Sequence, residues 1–168
     1  GRAWRGSEQI LSLMIDLKTP LHPTIDRLIA KLEKHPEVFD PAVNPYAVRV
    51  VITGSRPDPS AFGEFPHFIS FDGFIDVEYT PEQLERVALI SEPFCRYAKW
   101  KGGPEPLPAQ EKQVIEQLIA KSHKAGKPIR FWCSPDNAVA WETFRKLGID
   151  IINTDQPEAC TLYFQQNP

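Results

Sequence analysis

Two segments in the last third of the chain constrain its fold most. Residues 130–137 read Arg-Phe-Trp-Cys-Ser-Pro-Asp-Asn, and residues 148–157 read Gly-Ile-Asp-Ile-Ile-Asn-Thr-Asp-Gln-Pro. Between them Val139, Trp141, Phe144 and Leu147 recur at helical spacing, and Gly148 supplies a stop. A short apolar strand, a helix, a glycine and a second buried strand make the repeating beat of a parallel α/β protein. Polar residues fall at both strand ends.

The same beat runs back through the chain. Apolar runs at residues 10–17, 48–53, 67–71 and 87–90 join those at 129–132 and 149–153. Runs that are apolar almost throughout suit strands buried on both faces. Helical spacing is clear at 24–34, where Ile25, Leu28, Ile29 and Leu32 align, at 108–125, where Val114, Ile115, Leu118 and Ile119 do, and at 137–147. Residues 55–64 read mostly as loop, 81–87 as at best a short helix, and 98–109 as a loop long enough to be functional. The 17 prolines of this 168-residue chain sit between the elements rather than in a tract. With no repeat and no dividing linker, the expectation is one domain over residues 1–168, of α/β class and (β/α)8 TIM-barrel type. It is an incomplete barrel of about six βα units, because eight units take about 250 residues. An open doubly wound sheet ranks behind, since no glycine-rich loop follows a strand.

Composition excludes some classes. A net charge of −3 gives no basic footprint for nucleic acid. No apolar run approaches the ~20 residues of a membrane span, so no transmembrane segment is expected. Cys95, Cys133 and Cys160 are widely spaced and form no CxxC pair, so buried free thiols are expected rather than a zinc site or a disulfide. The start at Gly1 reads as a cut or mature terminus, and Trp4 and Arg5 carry no readable chemistry.

Candidate site residues cluster at strand ends. Asp16 and Lys18 are two apart on a strand and share a face, with Met14 behind them. A carboxylate there can hold a hard cation and an ammonium can offset phosphate charge; a buried Asp–Lys ion pair is the plainer reading. Arg56, past Gly54, either reaches a phosphate or carboxylate or caps a helix from a solvated loop. Asp72, in Phe-Asp-Gly, carries turn chemistry and a structural role at the site mouth. Ser91 and Glu92 follow a strand, but no GxSxG elbow supports a serine nucleophile. Arg130 and Trp132 share a face: Arg130 is expected to neutralise a buried acid, and Trp132 either walls a pocket or fills the core. Trp100 reads as part of a loop packing back on the domain. Asp155 is expected to cap the last helix.

Residues 13–18 (Leu-Met-Ile-Asp-Leu-Lys), 50–57 (Val-Val-Ile-Thr-Gly-Ser-Arg-Pro), 71–73 (Phe-Asp-Gly), 89–91 (Leu-Ile-Ser), 99–101 (Lys-Trp-Lys), 130–132 with Pro135 and Asp136, and 151–155 together carry a resemblance. In that order they resemble the C-terminal three-quarters of phosphoinositide-phospholipase-C-like and glycerophosphodiester phosphodiesterase barrels, over about residues 10–164. The resemblance implies a metal-dependent phosphoric diester hydrolase of lipid metabolism. Asp16 would be a ligand of Ca2+ or Mg2+, although the family usually has Glu there. Lys18 would face the substrate phosphate, Arg56 and Trp132 would line the substrate, and Asp72, Ser91, Arg130 and Asp155 would support the mouth. The family's two catalytic histidines and two further metal-ligand acids lie on its first two strands, and none of His22, His35, His67 or His123 matches them. The chain alone is therefore expected to be inactive, its open strand edges covered by the missing N-terminal part or by an oligomer partner. Relatives of this kind are often exported, which implies a periplasmic or secreted home. The alternative is a complete, non-catalytic barrel module that binds an anionic small molecule.

Overall fold

The computed structural model describes residues 2–3 and 8–168; Trp4 and Arg5 lie outside the described residues. These pack as two compact units, Gly1–Asp72 with Glu78–Ala88, and Gly73–Val77 with Leu89–Pro168. Both are α/β and their strands are parallel.

The first unit is built on β1 (Ser12–Leu17), β2 (Arg49–Gly54) and β3 (Ile69–Gly73), in that spatial order. The central strand reads Val-Val-Ile because both of its faces are covered, and Val50, Val51 and Ile52 are fully buried. Leu21–Leu32 (α1) follows β1 and buries Ile25 and Leu32, seven apart on one stripe. A four-residue helix, α2 (Pro36–Phe39), and a 3-10 helix (Pro59–Glu64) complete the connections. The 3-10 turn brings Phe62 onto Phe71 of β3, ring centroids 4.1 Å apart. Helix α3 (Pro81–Arg86) opens with a capping box between Thr80 and Gln83. Arg86 at its end donates to the carbonyl oxygens of Phe65, Pro66 and Ile69, tying the approach to β3.

Most of β4 (Val87–Pro93) and all of β5 (Ile129–Trp132) pair in the second unit. Its core is an aromatic and aliphatic cluster including Phe94, Trp100, Ile115, Ile129, Phe131 and Phe144. Helix α4 (Phe94–Tyr97) gives Phe94, α5 (Ala109–Lys124) gives Ile115 and Ile119, and α6 (Ala138–Leu147) gives Phe144. Helix α6 starts on Asn137, whose side chain accepts from Ala140 N, and stops at Gly148 with φ +82°. Trp100 packs into this cluster and donates to the Glu105 carbonyl at 2.8 Å, so the loop folds back on the unit.

Three sequence expectations change. The run at 149–153 forms only an isolated bridge, Arg130 with Ile151. The reason is Asp150, whose carboxylate accepts the Ile129 N–H at 2.8 Å, a donor that a strand carbonyl would otherwise take. Cys95 and Cys133 are not buried thiols but an exposed disulfide, Cα atoms 5.7 Å apart, and only Cys160 is free and buried. Spacing hid this pair, 38 residues apart in sequence, because β4 and β5 end side by side at Pro93 and Trp132. Asp155 does not cap the last helix, α7 (Pro157–Gln166), which begins after Gln156 without a side-chain cap.

Candidate functional site

In the first unit the parallel register sets a polar layer across three strands. Asp16 of β1 lies opposite Thr53 of β2. Ile52 lies opposite Phe71, so Thr53 stands next to Asp72 of β3, and its hydroxyl donates to Asp72 Oδ2 at 2.9 Å. Each of the three is at or one residue from the C-terminal end of its strand, where parallel α/β proteins build their sites. Asp72 is thus a strand residue and not part of a turn, and its carboxylate is buried.

Two cations attend this layer in different ways. Lys18 Nζ is 2.6 Å from Asp16 Oδ2, with side chains 82% and 46% exposed. The Asp–Lys pair exists, but at the surface rather than in a sealed interior, where such a pair adds little stability and either partner can be drawn elsewhere. Arg56 is the opposite case. Its side chain is only 11% exposed, lies 3.4 Å from Asp72 Oδ2, and donates to the Asp72 main-chain carbonyl. It is committed to a carboxylate on the neighbouring strand rather than capping a helix.

Gly54 makes the turn between Thr53 and Arg56. Its φ is +75°, and a Cβ there would collide with Asp16 Oδ1 and with the Leu17 carbonyl oxygen. The β2 turn therefore runs directly against the Asp16 carboxylate, which only glycine allows.

The second unit presents its own strand-end group. Ser91 lies opposite Arg130, and Arg130 donates to Ser91 Oγ at 3.5 Å and to Asn153 Oδ1. The Ser91 hydroxyl, from β4, and the Asn153 amide oxygen, from the bridge segment, are two of its partners. Trp132, two residues on, is 45% exposed, so it is not a core tryptophan. Glu92 faces the other way from Ser91. It is buried and accepts from Ile75 N at 3.0 Å and from the Tyr97 hydroxyl at 2.8 Å. Burial first, and then the hydrogen bond to Glu92, push the Tyr97 phenol up to about 12.

Beyond β5, Asp136 organises the following loop. It accepts from Trp141 Nε1 at 2.7 Å and from the Asp155 N–H at 2.8 Å, and its own carbonyl accepts from Gln156. Burial pushes its carboxyl up, but hydrogen bonds from Thr154, Asp155 and Trp141 outweigh that and hold it below the usual carboxylate range. Asp155 contributes its backbone here, not its side chain.

Of the sequence candidates, Asp16, Lys18, Arg56 and Asp72 come together in one layer, and Ser91 and Arg130 in another, with Trp132 two residues further along β5. Thr53 and Asn153 were not foreseen as site residues, and Glu92 only as the strand-end neighbour of Ser91. Thr53 could have been found by aligning the strand ends at Asp16 and Asp72; Asn153 has no local signal. The four histidines sit elsewhere, His22 with Asp26, His35 with Glu37, His67 with Asp40 and His123 with Asp150. Among the described residues no group of three or more His, Cys, Asp or Glu side chains stands close enough together to hold a metal ion, and no helix is long and apolar enough to cross a membrane. In comparison with known proteins, the chain matches no family model, no curated protein and no solved structure.

Proposed function

We propose that this chain is part of a metal-dependent phosphoric diester hydrolase of (β/α)8-barrel type, acting on glycerophosphodiesters or phosphoinositide-type head groups. The observation that supports this most is the layer of Asp16, Thr53 and Asp72 at the C-terminal ends of three parallel strands, with Lys18 and Arg56 beside it. In this reading Lys18 is the movable contact. Its exposed ammonium exchanges the Asp16 carboxylate for a phosphate oxygen at little cost, because the surface pair it leaves is worth at most about 1 kcal/mol. Arg56 is fixed on Asp72 and acts through its positive field rather than as an arm. Trp132 offers an exposed aromatic face to a glycerol or inositol moiety in the second unit, with Ser91, Arg130 and the Asp155 backbone holding the strand-end loops behind it.

The divalent cation of such chemistry, Ca2+ or Mg2+, does not fit these residues taken alone. Hard cations take about six to eight oxygens, whereas Asp16 offers one carboxylate with an ammonium at 2.6 Å, and Asp72 is engaged by Thr53 and Arg56. The proposal assigns catalysis to a protein that adds further acids and an acid–base histidine pair to this layer. To this chain it assigns the holding of the phosphodiester.

Titration with glycerophosphoinositol, followed by backbone amide shifts, tests this. The expected result is saturable change at Lys18, Thr53 and Gly54, weakened about tenfold in Lys18→Ala, as the loss of one charge-assisted contact would give. No change at these strand ends at millimolar ligand overturns the proposal. Equal affinity for inorganic sulfate reduces it to the binding of an anionic small molecule without hydrolytic purpose.

A further inference from the structure

A second recess lies in the first unit, away from the strand ends. It is formed where α1 ends, along α2, and on the approach to β3, and it encloses about 290 Å³. Its apolar walls are Leu32, which is buried, and Phe39 and Phe68, which are both half-buried, so two phenyl groups remain partly uncovered. Its polar lining is Glu33, Asp40 and His67, and no lysine or arginine lines it.

Three features give this recess one sign of charge. Glu33 is an exposed carboxylate, Asp40 is a second and half-buried one, and α1 directs the negative end of its dipole to the same place. Asp40 is locked in position, Oδ1 accepting from the Ala42 N–H at 2.8 Å and from His67 Nε2 at 2.8 Å. In the tautomer that gives its Nε2–H to Asp40, the His67 ring keeps a lone pair on Nδ1, an acceptor rather than a donor. Partly uncovered phenyl rings under a rim of carboxylates and an imidazole acceptor attract a positive charge carried on an apolar body. An anion meets like charge there, and a neutral apolar molecule gains nothing from the rim.

We propose that this recess is a binding site for a small organic cation, a quaternary or alkylated ammonium, held between Phe39 and Phe68 and neutralised by Glu33 and the Asp40–His67 pair. The proposal stands independently of the phosphodiesterase reading, since none of its residues belongs to the strand-end layers.

Tetramethylammonium and tert-butanol, matched in shape and different in charge, are the probes. Each is titrated into the full chain at pH 8 while backbone amide shifts are recorded. The expected result is saturable change confined to residues 32–40 and 67–68 with tetramethylammonium, and binding of tert-butanol at least about tenfold weaker, the range that a partly desolvated cation–π contact supplies. Asp40→Asn, which keeps the acceptor for Ala42, and Glu33→Gln, an exposed change that leaves the fold intact, each weaken the cation about threefold to tenfold. Equal binding of the two probes overturns the proposal and leaves an apolar crevice. So does cation binding unchanged in Glu33→Gln and Asp40→Asn, or the absence of shifts in this segment.

Discussion

At Gly54 the backbone φ is +75°, and an added Cβ would lie 2.5 Å from the Leu17 carbonyl oxygen as well as against the Asp16 carboxylate. Gly54→Ala therefore combines left-handed backbone strain with a collision against backbone, which cannot rotate away. It is expected to destabilise by about 2 kcal/mol or more, read from the midpoint of urea unfolding. Arg56→Ala removes a cation from a carboxylate that is buried in the native state, and an expected loss of about 3 kcal/mol follows from the usual cost of breaking such a pair. Arg56→Lys restores only part, because an ammonium cannot reach both the carboxylate and the main-chain oxygen as the fork does. Tyr97 supplies a pH test. Its folded value of about 12 is raised above the unfolded one, so the stability it contributes is whole below the unfolded value near 10 and is lost as pH climbs through 12. In an alkaline ultraviolet titration one phenol should ionise late, and Glu92→Gln should bring it part of the way back, since burial, the larger cause, remains. At this scale the sequence shows chemistry but not partners. Asp72 looks like a turn residue in Phe-Asp-Gly, and only the β2–β3 register reveals that Thr53 and Arg56 converge on it.

Helices were legible wherever an apolar stripe met a capping or stopping residue, as Asn137 and Gly148 bound α6. Asn137→Ala should cost about 1 kcal/mol through the lost bond to the Ala140 N–H, measured by thermal unfolding. Strands were legible as positions but not as pairings. The apolar run at 149–153 has the composition of a strand, yet Asp150 within it bonds sideways to Ile129 and to His123, and the ladder shrinks to one bridge. The disulfide was missed for the same reason: which strand ends become neighbours is a tertiary fact. It closes a loop of 38 residues, for which chain entropy gives about 4 kcal/mol. Reduction by dithiothreitol, or a Cys95→Ser and Cys133→Ser double variant, should lower the midpoint of unfolding accordingly. A midpoint indifferent to reductant would show that the native geometry gains nothing from the bond.

Across the whole chain the parallel α/β character follows from short apolar runs alternating with helical stripes; β2 is buried on both faces as such a run suggests, whereas β1 is exposed along much of its length. Six runs yield five strands and a bridge. The polar layers were half-visible, since Asp16, Lys18 and Arg130 stand out against apolar neighbours while Thr53 and Asn153 do not. Under the proposed function the isolated chain binds a glycerophosphodiester without cleaving it; product release on adding Ca2+ or Mg2+ would show a catalytic group that none of the four histidines explains. The bond between Cys95 and Cys133 leaves Cys160, on the buried side of α7, as the chain's one thiol. Burial, and then the charge of Asp136, push that thiol up, so in the closed state it is both shielded and protonated. An alkylating reagent can therefore react only in the moments when α7 lifts. The unmodified protein thus carries a single-site clock for its own local opening, and the rate of mass increase by one adduct reads it directly.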